Sequence, residues 1–281
     1  MSEKSWRAVL GAAEGTLSAA GVASPRFDAE LLAALVTGLP RALVATAPNP
    51  DSTQLAQFDE LVGRRADRVP LQYLLGSAPM GPVDVAVGPG VFVPRLETEL
   101  LLEWGLRVLR TVAHPVVVDL CTGSGALAAA VAASRPDARV HAVELDPQAL
   151  GWARRNLPDR VRLVAGDVTD PEVLADLTGQ VDLVLANPPY VPEGIPVPPE
   201  VADHDPYRAV FAGPDGLGVI RPLVAVVARL LRPGGRLAIE HDDTHGESAP
   251  KLLAAHPELV DVVDHDDLAG RPRFVTGARA L

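Results

Sequence analysis

Asn187-Pro188-Pro189-Tyr190 follows directly on the apolar run Val181-Asp182-Leu183-Val184-Leu185-Ala186. The run reads as a buried parallel strand. Two prolines cannot continue it, so the chain turns sharply at the strand's carboxyl end, where open α/β sheets keep their ligands. The turn offers the side-chain oxygen of Asn187 beside the Pro188 carbonyl, two acceptors converging on one point, and a planar amino group has two hydrogens to give them. The nitrogen of an amide or a nucleobase amino group is a poor nucleophile because its lone pair is delocalised. Holding both N–H bonds aims the lone pair and stabilises the positive charge that develops on attack, with no strong base needed beforehand. Asn187 and Pro188 are therefore the candidate catalytic pair, with Tyr190 walling the pocket against a planar group. The other reading is a proline turn that merely ends a strand.

A second apolar run, Val116-Val117-Val118-Asp119-Leu120, leads into Cys121-Thr122-Gly123-Ser124-Gly125 and the alanine-rich stretch 126–133. This is strand, glycine turn and helix, with a helix amino terminus aimed at a ligand. Gly123 to Ala128 also meets the permissive dinucleotide fingerprint, and the strand Val140 to Val143 ends in Glu144, where a ribose-binding carboxylate belongs. A hydride-transfer enzyme and a methyltransferase using S-adenosylmethionine both need such a carboxylate, so Glu144 does not separate them. Position 187 does, because nicotinamide chemistry has no use for paired amino-group acceptors, whereas a methyl donor needs a nucleophile delivered there. Downstream, Val161 to Val164 leads to Asp167, which reads either as a partner for an adenine amino group or as the cap of the next turn.

These groups need a scaffold, and 281 residues, 48% of them hydrophobic, suffice for a large domain plus a smaller one. No apolar run approaches the length of a membrane span and the start lacks the apolar stretch of a secretion signal, so a cytoplasmic protein is expected. One cysteine, Cys121, excludes an internal disulfide, and its place in the glycine loop suggests a small residue near a ligand rather than a reactive thiol. A formal charge of -11 argues against direct nucleic-acid binding and favours a protein or small-molecule substrate, ideally a basic one. The basic patches Arg64-Arg65-Ala66-Asp67-Arg68 and Arg154-Arg155 are explained as well by solvated helix faces. His241-Asp242-Asp243-Thr244-His245 reads as a surface loop, and no metal is expected.

Trp6, Val9, Leu10, Ala13, Leu17 and Ala20 follow helical spacing until Gly21. Ser24-Pro25 opens a second helix with Phe27, Leu31, Ala34 and Leu35 on its apolar face, and Leu55, Phe58, Leu61 and Val62 mark a third. Val83, Val85 and Val87, then Gly88-Pro89-Gly90, then Val91 and Val93 predict a β-hairpin joining two parts. Strands at 116–120, 139–145, 161–165 and 181–186 then alternate with helices near 97–110, 125–134, 147–156 and 171–178. After a proline-rich loop, 191–206, which would serve as a lid or substrate channel, come a helix around 216–231, a turn at 232–235 and a strand at 236–240. A helix near 246–255 and strands near 259–263 and 273–277 close the chain. The alternation predicts a doubly wound parallel sheet. The boundaries are 1–78 for a helical domain, 79–95 for the hairpin linker and 96–281 for the α/β domain.

Pro70-Leu71-Gln72-Tyr73, Gly88 to Glu99, Asp119 to Gly125, Asn187 to Tyr190, Asp205-Pro206, Gly213 to Leu217 and Arg271-Pro272-Arg273-Phe274 together resemble the peptide chain release factor glutamine methyltransferases, the HemK/PrmC family. The resemblance runs from about Ser24 to the end. It implies a helical domain that helps dock the release factor and a class I, Rossmann-like methyltransferase domain of seven strands, the last antiparallel. It further implies that Cys121, Thr122, Gly123, Ser124, Gly125, Glu144, Val168 and Asn187 bind S-adenosyl-L-methionine, with Asp167 as a further candidate. Asn187, Pro188, Pro189 and Tyr190 would hold the glutamine of a class I release factor's Gly-Gly-Gln loop, in a protein acting as a monomer. Two departures stand out: Leu96 occupies a position usually taken by proline, and Cys121 one usually taken by glycine. Adenine methylation of nucleic acid, glutamine methylation of a ribosomal protein, and a non-enzymatic nucleotide-binding adaptor are the competing expectations.

Overall fold

The structure, a computed structural model, describes residues 5–281. The chain forms two compact units, one made of the residues up to Ser77 together with Pro198–His204, the other of Ala78–Val197 and Asp205–Leu281.

The smaller unit is helical: α1 (Trp6–Ala19), α2 (Pro25–Thr37), α3 (Arg41–Val44), α4 (Ser52–Ala66) and α5 (Leu71–Leu75), joined by a six-residue helix at Pro199–His204. Trp6, Val9, Leu10, Ala13 and Leu17 are buried as their spacing predicts, Ala20 is half-buried, and Trp6 meets Phe58 edge-on with ring centroids 5.5 Å apart. The expected face of α2 is corrected. Leu31 and Ala34 pack against the core as expected, but its fully buried residues are Asp28, Ala29, Leu32 and Ala33, while Phe27 and Leu35 stay 46% and 47% exposed. This helix is apolar on two sides, and an ion pair selects between them: Asp28 receives the Arg65 Nε at 2.8 Å, and both groups are buried. Turning Asp28 outward would break that buried pair. Arg65 therefore does not lie on the solvated face that its basic neighbours suggest. Arg65 and Arg68 together grip Glu200, at 2.9 Å and 2.6 Å.

The larger unit begins with a hairpin of β1 (Ser77–Met80) and β2 (Val83–Ala86). It turns at Gly81-Pro82, earlier than the Gly88-Pro89-Gly90 turn expected. The expected turn is present at Pro89-Gly90, with Gly90 at φ 90°, but it leads into an irregular connector rather than a second hairpin strand: Val91 and Val93 are wholly buried and Trp152 holds the Pro89 carbonyl at 3.3 Å. Next come α6 (Glu99–Val108), β3 (Val116–Leu120), α7 (Ala126–Ser134), β4 (Arg139–Glu144), α8 (Pro147–Asn156), β5 (Arg162–Ala165) and β6 (Val181–Ala186). The helix expected at 171–178 is a single 3-10 turn, Ala175–Leu177, with Leu174 at φ 52°. Val173, Leu174 and Leu177 reach the core from this turn instead. The proline-rich loop contains the helix at Pro199–His204 described above, α9, followed by α10 (Tyr207–Val210). α11 (Ile220–Leu230), β7 (Leu231–Glu240), α12 (Ser248–Ala254), β8 (Leu259–Asp266) and β9 (Pro272–Arg279) complete the chain.

Seven strands make one sheet in the order β5-β4-β3-β6-β7-β9-β8, all parallel except β9, which runs antiparallel between its neighbours. Alternation sets the faces: Val116, Val118 and Leu120 enter the core shared with α11 and α12, which turns Asp119 toward α7. Among the described residues no helix is long and apolar enough to cross a membrane.

Candidate active site

The strand order reverses between β4-β3 and β3-β6, so the carboxyl ends of β3 and β6 flank the switch point where such sheets open a crevice. Register places the site residues along that edge. Leu120 lies opposite both Val143 and Ala186, Glu144 opposite Ala165, and Ala186 opposite Ile239. The next residues are thus, strand by strand, Asp167 just past β5, Glu144 ending β4, the loop from Cys121 to Gly125, Asn187 and Glu240. At about 4.8 Å per strand the row spans roughly 20 Å.

The loop is shaped by main-chain geometry. Gly123 sits at φ 57°, and a Cβ there would meet nothing within 4 Å, so the turn faces open space. Its N–H donates to Glu144 Oε2 at 2.7 Å, and Glu144 Oε1 accepts from the N–H groups of Leu145 and Asp146 at 2.9 and 2.8 Å. A carboxylate has about four acceptor positions. Glu144 Oε2 therefore keeps one for a hydroxyl, and burial raises its pKa. Thr122 donates to Asp119 Oδ2 at 2.5 Å, joined by the N–H of Ala128 at 3.1 Å, while Asp119 Oδ1 is buried with no partner among the described residues. Burial outweighs those two bonds and pushes Asp119 up to about 7. Cys121 is at φ 61°, which explains why glycine suits the position, and burial followed by Glu144, Asp119 and Asp167 raises its thiol well above the usual range. Asp167 is exposed, and its Oδ1 caps the turn through the Thr169 N–H and hydroxyl at 2.8 and 2.7 Å. Val168 has its side chain in the hydrophobic core.

The Glu144 and Asp167 carboxylates beside the glycine loop suit a cation. S-adenosylmethionine carries a sulfonium and an ammonium, whereas a dinucleotide would bring a doubly negative pyrophosphate against that acidic wall. The open face at Gly123, the free position on Glu144 and the acidic surroundings fit the methyl donor.

The second half of the site is held by side chains. The Asn187 Nδ2 donates to Thr98 Oγ1 at 3.0 Å, Thr98 donates to Glu240 Oε2 at 2.8 Å, and the Tyr190 hydroxyl donates to Glu240 Oε1 at 2.9 Å. No described residue donates to Asn187 Oδ1 or to the Pro188 carbonyl. The two acceptors expected from sequence are therefore both unengaged. Pro188 is buried and Pro189 half-buried beside it. Tyr190 packs against the sheet core, its hydroxyl pushed well above its usual pKa by burial and then by Glu240.

Several residues noted in the sequence only as marks of a resemblance turn out to support this turn. Arg95 pairs with Asp205 at 2.5 Å, Thr98 holds Asn187, and Arg273 stands close enough to Glu240 and Tyr190 to bias both. Gly216 lies under the Tyr190 carbonyl, where a Cβ would come within 2.3 Å, so no side chain fits. Glu240 went unread, although a carboxylate at the carboxyl end of a parallel strand is the signal that marked Glu144. His241 and His245 are buried rather than in a surface loop: His241 Nε2 meets Asp264 at 2.7 Å and His245 Nε2 the Asp215 carbonyl at 2.9 Å.

Two family models match the chain, the PrmC N-terminal domain over residues 8–76 and the methyltransferase small domain over residues 85–199. A release factor glutamine methyltransferase from Mycolicibacterium smegmatis is 53% identical over 97% of each chain. The proteins of that name from Streptomyces coelicolor and Mycobacterium tuberculosis are 48% and 47% identical, covering 94% and 97% of this chain and 95% and 91% of their own.

Proposed function

We infer that this chain, which belongs to the release factor glutamine methyltransferase family, methylates the side-chain amide nitrogen of a glutamine in peptide chain release factors. The glutamine is the one in the Gly-Gly-Gln loop. One observation carries the reading: Asn187 has its nitrogen tied to Thr98 and its oxygen open, next to the open Pro188 carbonyl. S-adenosylmethionine supplies a methyl group on a positively charged sulfur.

The loop from Cys121 to Gly125, Glu144, Asp167, Val168 and Asn187 would hold that donor, Glu144 through the acceptor position it keeps free. Asn187 and Pro188 each accept one hydrogen of the glutamine NH2 group, while Pro189 and Tyr190 wall the carboxamide plane. As the nitrogen attacks in line, positive charge grows on it and both acceptors bind more strongly than in the ground state, which is the condition for raising turnover. The proton leaves to solvent after transfer, and no side chain near the Asn187 turn is required as a base. The chain works as a cytoplasmic monomer on a protein substrate, and its charge of -11 disfavours nucleic acid.

The test is incubation with isotope-labelled methyl donor and, separately, release factor, ribosomes or DNA, followed by mass spectrometry of the labelled product. Label on the Gly-Gly-Gln glutamine supports the reading; label confined to ribosomal protein or adenine replaces it with the corresponding rival, and no label in any sample favours the nucleotide-binding adaptor.

A further inference from the structure

The chain Asn187–Thr98–Glu240–Tyr190 has a direction. An ionised carboxylate only accepts hydrogen bonds, so Glu240 must take the Tyr190 proton on Oε1 and the Thr98 proton on Oε2. A threonine hydroxyl has one proton. With that proton committed to Glu240, Thr98 Oγ1 meets Asn187 as an acceptor, and only the Nδ2 end of the amide can face it at 3.0 Å. The oxygen is left for the substrate. Glu240 and Thr98 are both buried, with 0% and 3% exposure, so water does not blur the choice.

We propose that Thr98 and Glu240 are positioning residues for the transfer: the Glu240 carboxylate sets the polarity of the hydrogen-bond chain through Thr98 and so compels Asn187 to present oxygen rather than nitrogen to the amide being methylated. This rests on the function inferred above and adds the device that gives one of its acceptors the right end. The residues lie on four separate segments: the 3-10 turn Leu96–Thr98, the Asn187–Tyr190 turn, the end of β7 and, through Arg273, β9.

Protonation of Glu240 on Oε2, the oxygen that faces Thr98, inverts the chain. A neutral carboxyl donates to Thr98, Thr98 donates onward, and Asn187 turns its oxygen inward, leaving an NH2 group facing the substrate's own NH2. The groups facing Glu240 are Thr98, Tyr190, the Arg273 guanidinium and the Glu97 carboxylate; its chain neighbour His241 is engaged by Asp264. Burial pushes Glu240 up to about 6, against the hydroxyl bonds and Arg273, so inversion falls at the edge of the physiological range.

The experiment uses the full-length protein, its methyl donor and release factor. In single-turnover assays Thr98→Val should slow methyl transfer about 100-fold with donor Kd unchanged, and Thr98→Ser should restore it to within about threefold. The wild-type transfer rate should fall as pH drops through about 6, and Glu240→Gln, slower throughout, should lack that acid limb. A second readout needs no substrate. The side-chain NH2 resonances of Asn187 in 15N-labelled protein, assigned by their loss in Asn187→Ala, should shift with a midpoint near 6 in wild type and stay fixed in Glu240→Gln. Transfer by Thr98→Val within threefold of wild type, or Asn187 signals that titrate alike in wild type and Glu240→Gln, overturns the proposal. If wild-type protein labels no release factor, the function fails separately, and the resonances still decide the polarity of the chain.

Discussion

Glu200 and Glu240 are both carboxylates taken largely out of water, and they move to opposite sides of their ordinary range. In the helical unit burial works against Glu200, yet the Arg68 and Arg65 guanidinium groups prevail and hold it at about 2. In the α/β unit burial wins, and Glu240 with hydroxyls for partners rises to about 6. The consequences for stability have opposite signs. Glu200, depressed, contributes stability that is present above its ordinary pKa near 4.5 and is lost as pH falls toward 2. Glu240, raised, contributes below 4.5 and loses that contribution as pH rises through about 6, so its charged form costs stability at neutral pH. A carboxylate paired with two guanidinium groups fastens structure. One left to hydroxyls is retained for what its charge does to a neighbour, here the orientation of Asn187.

The contrast predicts which changes damage chemistry and which damage folding. Asn187→Ala removes an acceptor that strengthens only as charge develops, so transfer should fall about 10³-fold, or about 4 kcal/mol. Its melting temperature should stay near wild type and much of its donor affinity should remain; unchanged turnover would sink the mechanism. Arg65→Ala should do the reverse, leaving Asp28 buried without its partner and weakening the grip on Glu200. We expect a loss of about 3 kcal/mol in denaturant titrations. The transfer rate per folded molecule should be retained at low temperature, and a fall as large as that of Asn187→Ala would erase the distinction between the two carboxylates.

What the sequence made legible follows the same line. Strand ends, glycine loop and prolines are local features, and Cys121 to Gly125, Glu144 and Asn187 could be placed from a few adjacent residues each. The parts that depend on distant partners were not placed. The buried face of α2 is chosen by Arg65, thirty-seven positions away, and Asn187 is oriented by Thr98, eighty-nine away. Thr98 and Arg273 lay within motifs recognised only as family marks, since no pattern of spacing tells that two such segments meet at one carboxylate. The hairpin turn was misplaced because Gly88-Pro89-Gly90 has turn chemistry, while burial of Val91 and Val93 is a tertiary fact.

Asp119 tests on which side of the comparison the donor loop falls. Raised from 3.8 to about 7, it behaves as Glu240 does: its stabilising contribution is complete below 3.8 and is lost as pH climbs through about 7. Asp119→Asn cannot titrate. Relative to wild type it should therefore gain about 3 kcal/mol of stability between pH 5 and pH 8, from about 1.4 kcal/mol per pKa unit over that part of the shift. Parallel pH profiles for the two proteins would show that the carboxylate stays in one charge state throughout.

The smallest effect is expected at Cys121, where the main chain and the side chain disagree. At φ 61° a residue with a Cβ is strained by about 1 kcal/mol or more, relief that glycine would bring. Glycine also loosens the unfolded chain by about 0.5–1 kcal/mol, and the thiol's packing against the sheet core would be lost. The terms nearly cancel, so Cys121→Gly should shift stability by less than about 1 kcal/mol and leave donor affinity within about twofold. The native residue serves as a reporter meanwhile, because it is the chain's single cysteine. With its thiol pushed up by burial and three nearby carboxylates, alkylation at pH 8 should run well below the rate of a free thiol. Methyl donor should slow it further by covering the loop. Rapid alkylation that donor does not affect would mean that the loop is not where the donor binds, and would remove the acidic half of the site from the comparison with Glu240.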